Sequence, residues 1–529
     1  MSYDVVIVGG GTSGSVLAGR LSEDPGRSVL LLEAGPAPGR PADFPADSTD
    51  GTTLRAASVR SSLTWEYPVK LTDTHTQSVV RGKILGGSSS VNGGYFIRAQ
   101  PADFNRWADR GGQQWAYDRV LPRLCRMEND LDFGHQDQHG GAGPMLVKRP
   151  WTQTPNRSVD AVFTAAALEA GYPSEPDKNS RSAPGIGSVP STVVDGIRHN
   201  AAMQYILPAH ARPNLSVRGR ARVVKVRIHC GRAIGVEIMT GTHTRSELVE
   251  AGEVVLSAGA LATPQLLLLS GIGDPDQLQQ VGVKPTVSSP GVGRNLSDHP
   301  DISLNLRFNR DALDLHSSFN SEPLGSGFST ALHFSVSESA GIGDLELMLS
   351  STPNSPLFNQ RPPEEARADE HLLMLGLQRP ASRGSLTLNS ADPMHTGSIS
   401  YGFLSSPGDR AGLRAGVRKT FQLLSASPFA ETLDRHPQLD SQKSNEEILD
   451  SDDLLDLWIE SSIGTKLHTC GGACMGPGSD PNAVVDQYGR VHGVHGLRVA
   501  DLSILPTVPS RGPANTAVFI GEHAAEFME

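Results

Sequence analysis

The chain has 529 residues, too many for a single hydrophobic core, and its length predicts several domains or one large interleaved pair. Hydrophobic residues make up 38% of the chain and charged residues 19%, which excludes a disordered or fibrous protein. The 57 acidic against 46 basic residues leave a formal net charge of −11. Because a polyanion binder needs clustered cations, we predict that nucleic acid is not a partner.

The cysteine content and the apolar segments indicate the cellular compartment of the protein. Four cysteines are too few for a disulfide framework in a chain of this length and favour a reducing compartment. The amino terminus has neither the basic region nor the cleavable apolar stretch of a signal peptide. The longest apolar run, over residues 261–273, is shorter than the roughly 20 residues that cross a bilayer. We therefore expect a soluble cytoplasmic protein with no membrane-spanning segment.

The first 33 residues have the pattern of a βαβ unit. The β-branched run over residues 3–8 predicts a buried strand, residues 15–21 a helix, and residues 28–32 a second buried strand. The second strand leads into Glu33, an acid at the spacing from which a carboxylate binds a ribose diol.

The turn of this unit carries the pattern G-x-G-x-x-G, formed by Gly9, Gly11 and Gly14. In such a turn the first glycine permits the tight bend, the second admits a pyrophosphate, and the third lets helix and strand pack closely. Thr12 and Ser13 lie in this turn, before the helix whose free N–H groups and positive dipole end favour phosphate. The sequence therefore predicts a dinucleotide site, and this motif leaves NAD and FAD both open.

Beyond Glu33 the sequence does not continue with another βα repeat. Residues 36–80 are rich in Pro, Asp, Thr and Ser and predict a long excursion. Residues 301–410 alternate apolar and polar positions, which predicts an antiparallel sheet of half-buried strands with one face toward a ligand. The glycine-rich segment 134–143, with His135 and His139, is interpreted as a surface or lid segment. Further buried strands are predicted over residues 215–226, 233–238, 252–260 and 496–501.

Two longer segments resemble the signatures of a known family. Residues 82–96, GKILGGSSSVNGGYF, resemble the first signature of the glucose–methanol–choline (GMC) oxidoreductases, and residues 259–273, GALATPQLLLLSGIG, resemble the second. Residues 295–300 and 501–522 are also similar to the family. The resemblance covers nearly the whole chain in the expected order. Within the family, residues 92–96, 130–133 and 510–513 are similar to the mycofactocin-associated dehydrogenases, and choline dehydrogenase-like enzymes are the broader comparison.

The resemblance implies an α/β fold in which a Rossmann-like FAD-binding domain is interleaved with a substrate-binding domain built on an antiparallel sheet. We expect residues 1–150 to form the first part of the FAD-binding domain. Residues 151–300 continue it, with interleaved pieces of the substrate domain. Residues 301–460 form the substrate-binding domain, and residues 461–529 close the FAD-binding domain with catalytic residues.

The cofactor implied by the resemblance is FAD. Gly86, Gly87 and Ser88 expose backbone N–H groups to an anionic cofactor. Asn92 can bond both the flavin edge and a substrate oxygen. Some relatives tether FAD through a histidine at the position of Val91, which has no nucleophile, so we predict non-covalent FAD. The other residues that the resemblance places at the cofactor are Ala34, Arg81, Gly93, Val224, Ala258, Asp501, Ala514 and Asn515.

The catalytic residue implied by the resemblance is His468, in KLHTCGGACMG at residues 466–476. Oxidising an alcohol requires a base of near-neutral pKa for the hydroxyl proton, and histidine meets that demand. His468, Cys470, Cys474, His492 and His495 could alternatively suggest a metal site. The spacing of the two cysteines is unusual for zinc, so we predict no metal and two small buried packing residues.

A second family position departs from the pattern. The family's partner histidine or asparagine falls on Ala514, which can neither donate a hydrogen bond nor carry a proton. Three interpretations stay open: Asn515 takes the role, the site works with His468 alone, or the site is disarmed at Ala514.

The predicted activity is hydride transfer from a small-molecule alcohol to flavin N5, with His468 handling the proton. One alternative is a non-redox lyase on the same fold with structural FAD. Another is a flavoprotein electron shuttle that reoxidises a partner's reduced cofactor. The sequence identifies neither the alcohol nor the electron acceptor.

Overall fold

The computed structural model describes residues 2–155, 158–240, 245–314, 327–336, 343–351 and 370–528. In these ranges the strands are β1 (Tyr3–Val8), β2 (Val29–Leu32), β3 (Thr64–Lys70), β4 (Thr76–Gly82), β5 (Glu128–Asp130), β6 (Met145–Val147), β7 (Ile186–Ser188), β8 (Val193–Val194), β9 (Ile197–Arg198), β10 (Leu215–Arg218), β11 (Arg222–His229), β12 (Arg232–Thr240), β13 (Arg245–Leu256), β14 (Ile272–Gly273), β15 (Val287–Ser288), β16 (Arg294–Leu296), β17 (Pro300–Phe308), β18 (Phe328–Phe334), β19 (Leu345–Ser350), β20 (Glu370–Leu377), β21 (Gly384–Thr387), β22 (Ser398–Ser400), β23 (Leu433–Arg435), β24 (Ile463–Thr465) and β25 (Leu497–Val499).

The helices of the same ranges are α1 (Thr12–Leu21), α2 (Ala46–Thr49), α3 (Pro101–Gly111), α4 (Tyr117–Arg126), α5 (Ser158–Glu169), α6 (Ala201–Ala209), α7 (Gly259–Leu269), α8 (Pro275–Gln280), α9 (Arg310–Asp314), α10 (Pro407–Leu424), α11 (Ser427–Thr432), α12 (Asn445–Asp450), α13 (Asp452–Ser462) and α14 (Ala514–Glu526). None of the helices in the described part of the chain combines the length and the hydropathy that a membrane span requires.

The nucleotide half of the fold is a parallel sheet in the strand order β10-β2-β1-β13-β25. Strand β1 is the predicted strand, and its Val5, Val6, Ile7 and Val8 are buried, as the apolar run predicts. Helix α1 packs against α6 and α14. The strands β12 and β11 extend the sheet from β13 as an antiparallel ribbon.

Two predicted strands of this half differ from the structure. The strand predicted over 215–226 is two strands, because Arg220 adopts a left-handed φ of 55° between them. As a result β10 joins the parallel sheet and β11 joins the ribbon. The strand predicted over 252–260 ends at Leu256, and α7 begins at Gly259. The excursion predicted over 36–80 contains β3 and most of β4, which form a sheet with β22, β21 and β16.

The second large sheet is antiparallel, as predicted, in the order β23-β17-β20-β19-β18-β7, with β24 also paired to β17. The prediction of half-buried strands is wrong for β18 and β19, which are buried on both faces, whereas β17 alternates as predicted from Ser303 to Phe308. Leu345, Leu347 and Leu349 join the main core, whereas Met348 belongs to a separate apolar cluster on the other face. Residues 315–326, 337–342 and 352–369 of the predicted stretch lie outside the described residues.

The architecture is the predicted α/β fold with a second, antiparallel unit. The nucleotide sheet takes its strands from both ends of the chain, since β25 pairs with β13. The antiparallel sheet likewise recruits β7 from residues 186–188, far upstream of its other strands. The numerical domain bounds given above stay a prediction.

The interpretation of 134–143 as a surface segment is wrong for His139, although His135 is exposed. His139 is buried, with Nε2 2.8 Å from an Asp177 oxygen and Nδ1 3.0 Å from Glu128 and 3.2 Å from Asp130. Burial by itself lowers the pKa of His139, but its hydrogen bonds to the carboxylates outweigh burial and raise the pKa to about 10. Arg98 also pairs with Glu128, and Arg149 pairs with Asp130 and Asp177, so we interpret this group as an ionic cluster.

The raised pKa of His139 predicts a pH-dependent stability. The folded pKa lies above the unfolded value near 6.5, so this stabilisation is complete below about pH 6.5 and is lost as pH rises through about 10. We expect the unfolding free energy of the wild type, relative to a His139→Gln variant, to fall by about 2–4 kcal/mol from pH 6 to pH 10. Denaturant titrations of both proteins measure the difference, and parallel pH curves would contradict the assignment.

Candidate active site

A cavity of about 570 Å³ lies between the nucleotide sheet and the antiparallel sheet. This volume is in the range of pockets that enclose a small molecule. The cavity wall begins at the turn between β1 and α1, passes β4 and β11, and reaches His468 and the strands β18 to β20. The cleft of the G-x-G-x-x-G motif and the predicted catalytic histidine therefore share one continuous space.

The glycines of the nucleotide turn are required by close contacts. Gly9 has a φ of 101°, which only glycine adopts without strain. A Cβ on Gly14 would lie 2.0 Å from the carbonyl oxygen of Gly9. Gly11 is the N-cap residue of α1, and no side chain bonds to the N–H groups of the first turn. Thr12 and Ser13 line the cavity. The first-turn N–H groups of α1 are thus available to a phosphate.

Glu33 is buried at the end of β2 and lines the cavity beside Ala34. One carboxylate oxygen accepts from the N–H of Gly10 at 3.0 Å, and the other accepts from Gly35 at 2.8 Å. Burial raises the pKa of Glu33, against the lowering effect of these backbone donors. Each oxygen keeps a further lone pair that can accept from a ribose hydroxyl.

The segment 86–93 lies against the nucleotide turn. Gly86 N–H donates to the Gly10 carbonyl at 2.7 Å, and a Cβ on Gly87 would lie 2.6 Å from the Cα of Gly11. Gly87, Ser88 and Gly93 line the cavity, whereas Gly86 supports them from behind. The serine-rich segment therefore forms the wall of the cleft that faces α1.

Three other predicted cofactor residues, Val224, Ala258 and Asp501, also line the cavity. The Asp501 carboxylate is occupied by the protein itself, because one oxygen accepts from Gly259 N–H at 2.8 Å and from the Thr263 hydroxyl at 2.6 Å. Burial raises the pKa of Asp501 despite these donors. Asp501 thus holds the amino terminus of α7 at the cleft.

Arg81 lines the same wall and connects it to the His468 loop. Its guanidinium donates to the Thr469 hydroxyl and lies 3.8 Å from an Asp298 oxygen. Asp298 in turn accepts from the backbone N–H of His468 at 2.9 Å and from the Thr469 hydroxyl at 2.8 Å. These contacts fix the backbone that carries His468.

His468 is held by a second histidine, His299. The two Nδ1 atoms are 2.8 Å apart, and Nε2 of His299 lies 2.9 Å from the carbonyl oxygen of Pro509. A carbonyl only accepts, so Nε2 of His299 carries the proton and its Nδ1 is an acceptor. Nδ1 of His468 therefore donates, and Nε2 of His468 is the unprotonated nitrogen of the neutral ring.

Both histidines are neutral near pH 7. Burial is the main cause that lowers the pKa of His299, to about 4. Burial, followed by the neighbouring His299 and Lys466, also holds the pKa of His468 well below its ordinary value. A Cβ on Gly512 would lie 3.7 Å from Nε2 of His468, and both residues line the cavity. The basic nitrogen of His468 thus lies at the cavity edge.

Of the remaining predicted site residues, Asn92 and Ala514 line the cavity and Asn515 does not. Asn92 lines the cavity, and its side-chain oxygen accepts from Gly94 N–H at 3.0 Å. Ala514 lies on the cavity wall at the start of α14. Asn515 is fully buried but does not line the cavity, and neither amide atom has a hydrogen-bond partner among the described residues. The role of Asn515 stays a prediction.

Sequence reasoning missed His299 as a partner of His468. The signal was present, because His299 stands in the segment 295–300 that resembles the family. It was overlooked because the two histidines are 169 positions apart in the chain. Cys470 and Cys474 are buried, as expected of packing residues, and their sulfur atoms contact the His468 carbonyl and the Asn295 amide.

The residues of the cavity fit an FAD molecule. A dinucleotide needs a glycine turn at a helix amino terminus, an acid for the ribose and a channel that continues to the reactive centre. The turn at Gly11, the carboxylate of Glu33 and the continuous wall to His468 provide these three features. A Cβ on Gly87 would collide with Gly11, so glycine is required where this segment lies against the nucleotide turn.

Comparison with known proteins identifies the family of the chain. The sequence patterns of the family described as GMC oxidoreductase match residues 3–301 and 380–521. A GMC-type oxidoreductase of Rhodococcus erythropolis is 38% identical over 526 residues, which cover 99% of this chain and 98% of the relative. The oxygen-dependent choline dehydrogenase of Brucella anthropi is 33% identical, over 100% of this chain and 96% of the relative.

Two solved structures match the chain over nearly its whole length. Pyridoxine 4-oxidase from Mesorbium loti matches with a TM-score of 0.88 and 27% identity, over 99% of both chains. A variant of formate oxidase from Aspergillus oryzae, an FAD protein, matches with a TM-score of 0.87 and 26% identity, over 100% of this chain and 98% of that one. The fold and the cleft define an oxidoreductase of the dinucleotide-binding α/β class. The chain belongs to the GMC oxidoreductase family and is an enzyme of that family.

Proposed function

We propose that the protein oxidises a small alcohol with FAD as hydride acceptor and His468 as the base. The observation that carries the proposal is the neutral His468 ring, whose Nδ1 donates to His299 and whose Nε2 meets the cavity. A base in that state can take the hydroxyl proton at once. The family and its choline dehydrogenase relatives support the same chemistry.

Bound FAD would supply the hydride acceptor, at N5 of its flavin. The chain's own contribution is to bind the alcohol with its hydroxyl at Nε2 of His468 and to accept the proton there. As the carbonyl product forms, the imidazolium is stabilised by its hydrogen bond to His299, which Pro509 orients.

The test is the visible spectrum of the purified protein under anaerobic conditions, before and after adding primary and secondary alcohols. We expect flavin absorption that bleaches with at least one alcohol. Flavin that never bleaches while the protein cleaves a cyanohydrin would support the lyase alternative. Flavin that is reduced only by a partner's reduced cofactor would support the electron shuttle.

We also propose that the FAD is held without a covalent bond. Val91, which lines the cavity where some relatives carry a tethering histidine, has no nucleophile. Acid or heat precipitation of the holoenzyme is expected to release all FAD into the supernatant, where its absorbance is measured. Flavin fluorescence that stays on the chain in a denaturing gel would contradict this proposal.

We also propose a cellular location and a class of partner for the enzyme. All four cysteines are free thiols, which fits the cytoplasm. The acidic net charge of −11 fits a small-molecule substrate and no nucleic-acid partner.

A further inference from the structure

The cavity ends, beyond His468, in an apolar wall formed by Leu54, Phe328, Met348 and Met374. These side chains belong to a hydrophobic cluster that is separate from the main core of the protein. All four line the cavity, and each is at most 9% exposed. A Cβ on Gly93 would lie 3.9 Å from Leu54 and 4.0 Å from Phe328, which places this wall next to the Asn92 segment.

Two polar groups, Tyr95 and Lys466, complete this end of the cavity. Both bond to the buried carboxylate of Glu346, with the ammonium of Lys466 at 2.7 Å from one oxygen and the Tyr95 hydroxyl at 3.4 Å from the other. His333 also lies 2.9 Å from that second oxygen. The charge of Glu346 is therefore compensated within the protein and does not face the cavity alone.

The charges along the wall disfavour a cation at this end. The described cavity-lining carboxylates are Glu33, Glu66 and Asp501. Glu33 and Asp501 lie at the nucleotide cleft, and the exposed Glu66 accepts from the Arg60 N–H. A buried quaternary ammonium needs a carboxylate or a cage of aromatic rings to offset its lost hydration. Here it would meet thioethers, one phenyl ring, one phenol and the ammonium of Lys466.

We infer that the substrate is a neutral alcohol whose branched alkyl or aryl group packs on the apolar wall, and that quaternary ammonium alcohols are excluded. The inference rests on the alcohol oxidation proposed above and separates this chain from its choline-oxidising relatives. Burial of the apolar group against the wall positions the carbinol toward His468. The Tyr95 hydroxyl and the Lys466 ammonium remain able to donate to a neutral acceptor on the same substrate.

The test compares two alcohols of the same shape. Choline and 3,3-dimethylbutan-1-ol differ only in that a carbon replaces the charged nitrogen. With the wild-type holoenzyme, kcat/KM for anaerobic flavin reduction is expected to be at least tenfold higher for the neutral alcohol. A ratio below tenfold, or a preference for choline, would overturn the inference while leaving the proposed alcohol oxidation intact.

A binding measurement separates the inference from the proposed function. The methyl ethers of the same two compounds have no hydroxyl to oxidise, and calorimetric titration of the holoenzyme measures their affinities. We expect the neutral ether to bind at least tenfold more tightly. If no alcohol reduces the flavin but this difference is seen, the proposed activity fails and the specificity stands. If the ethers bind equally, or neither binds, the apolar wall is not the substrate surface.

A matched pair of variants tests the wall itself. Met348→Glu places a carboxylate on the wall, and Met348→Gln is its uncharged isostere. The preference for the neutral alcohol is expected to fall at least tenfold in Met348→Glu relative to Met348→Gln. Equal preferences in two folded variants would overturn the placement of the substrate. If Met348→Glu does not fold, the two wild-type comparisons decide the inference alone.

Discussion

Replacing His468 by alanine is expected to slow anaerobic flavin reduction by an alcohol about 10²- to 10⁴-fold, the usual range for loss of a general base. The reason is that Nε2 of His468 is the unprotonated nitrogen at the cavity edge, and no other described histidine lines the cavity. The flavin spectrum of the oxidised variant is expected to be unchanged. Stopped-flow measurement of flavin absorbance gives the rate constant directly.

The matched control is His495→Ala, which removes an exposed histidine from the same carboxy-terminal part of the chain. We expect its reduction rate to stay within about twofold of the wild type, since surface changes away from a site have small effects. A His468→Ala rate within threefold of the wild type would show that another group accepts the proton.

Replacing Glu346 by glutamine is expected to destabilise the protein by about 3–5 kcal/mol, the cost of leaving buried partner charges uncompensated. Glu346 is 1% exposed and is bonded to Lys466 and His333. Burial opposes ionisation of Glu346, but Lys466 and His333 outweigh it and hold its pKa well below the ordinary value. Loss of the carboxylate leaves the buried Lys466 without its counter-ion.

Denaturant unfolding of both proteins at pH 7 measures this loss. The control is Met348→Leu, two residues along the same face of β19, where a swap of similar volume costs less than about 1.5 kcal/mol. Equal stabilities of Glu346→Gln and wild type would mean that water reaches the cluster. In that case the charge compensation used to exclude cationic substrates would also fail.

Local patterns in the sequence predicted the nucleotide half well. The strand β1, the glycine turn and Glu33 lie within one short segment, so hydrophobic periodicity and motif spacing suffice to place them. The break at Arg220 was missed because a left-handed residue leaves no mark on an apolar pattern. The strand β20 lies in the predicted sheet but lacks the expected alternation, since its residues form an uninterrupted apolar run.

The interior of the site could not be predicted in the same way. Resemblance to the family pointed to His468, but its state depends on His299, which reaches it only through the fold. The ion pair of Glu346 and Lys466 joins residues 120 positions apart, and neither has a local sequence signal. His139 was misplaced because burial of a polar segment depends on partners from other parts of the chain, here Asp177.

Gly512 gives the site room to change. Its φ is not among the positive values of the chain, so the backbone would accept any ordinary residue there. A Cβ at this position would make only van der Waals contacts, 3.6 Å from Cε1 of His468 and 3.8 Å from Ile97. A Gly512→Ala substitution would therefore place one methyl group beside the base at ordinary contact distance. Position 512 is accordingly the point from which directed evolution could retune this enzyme toward smaller alcohols.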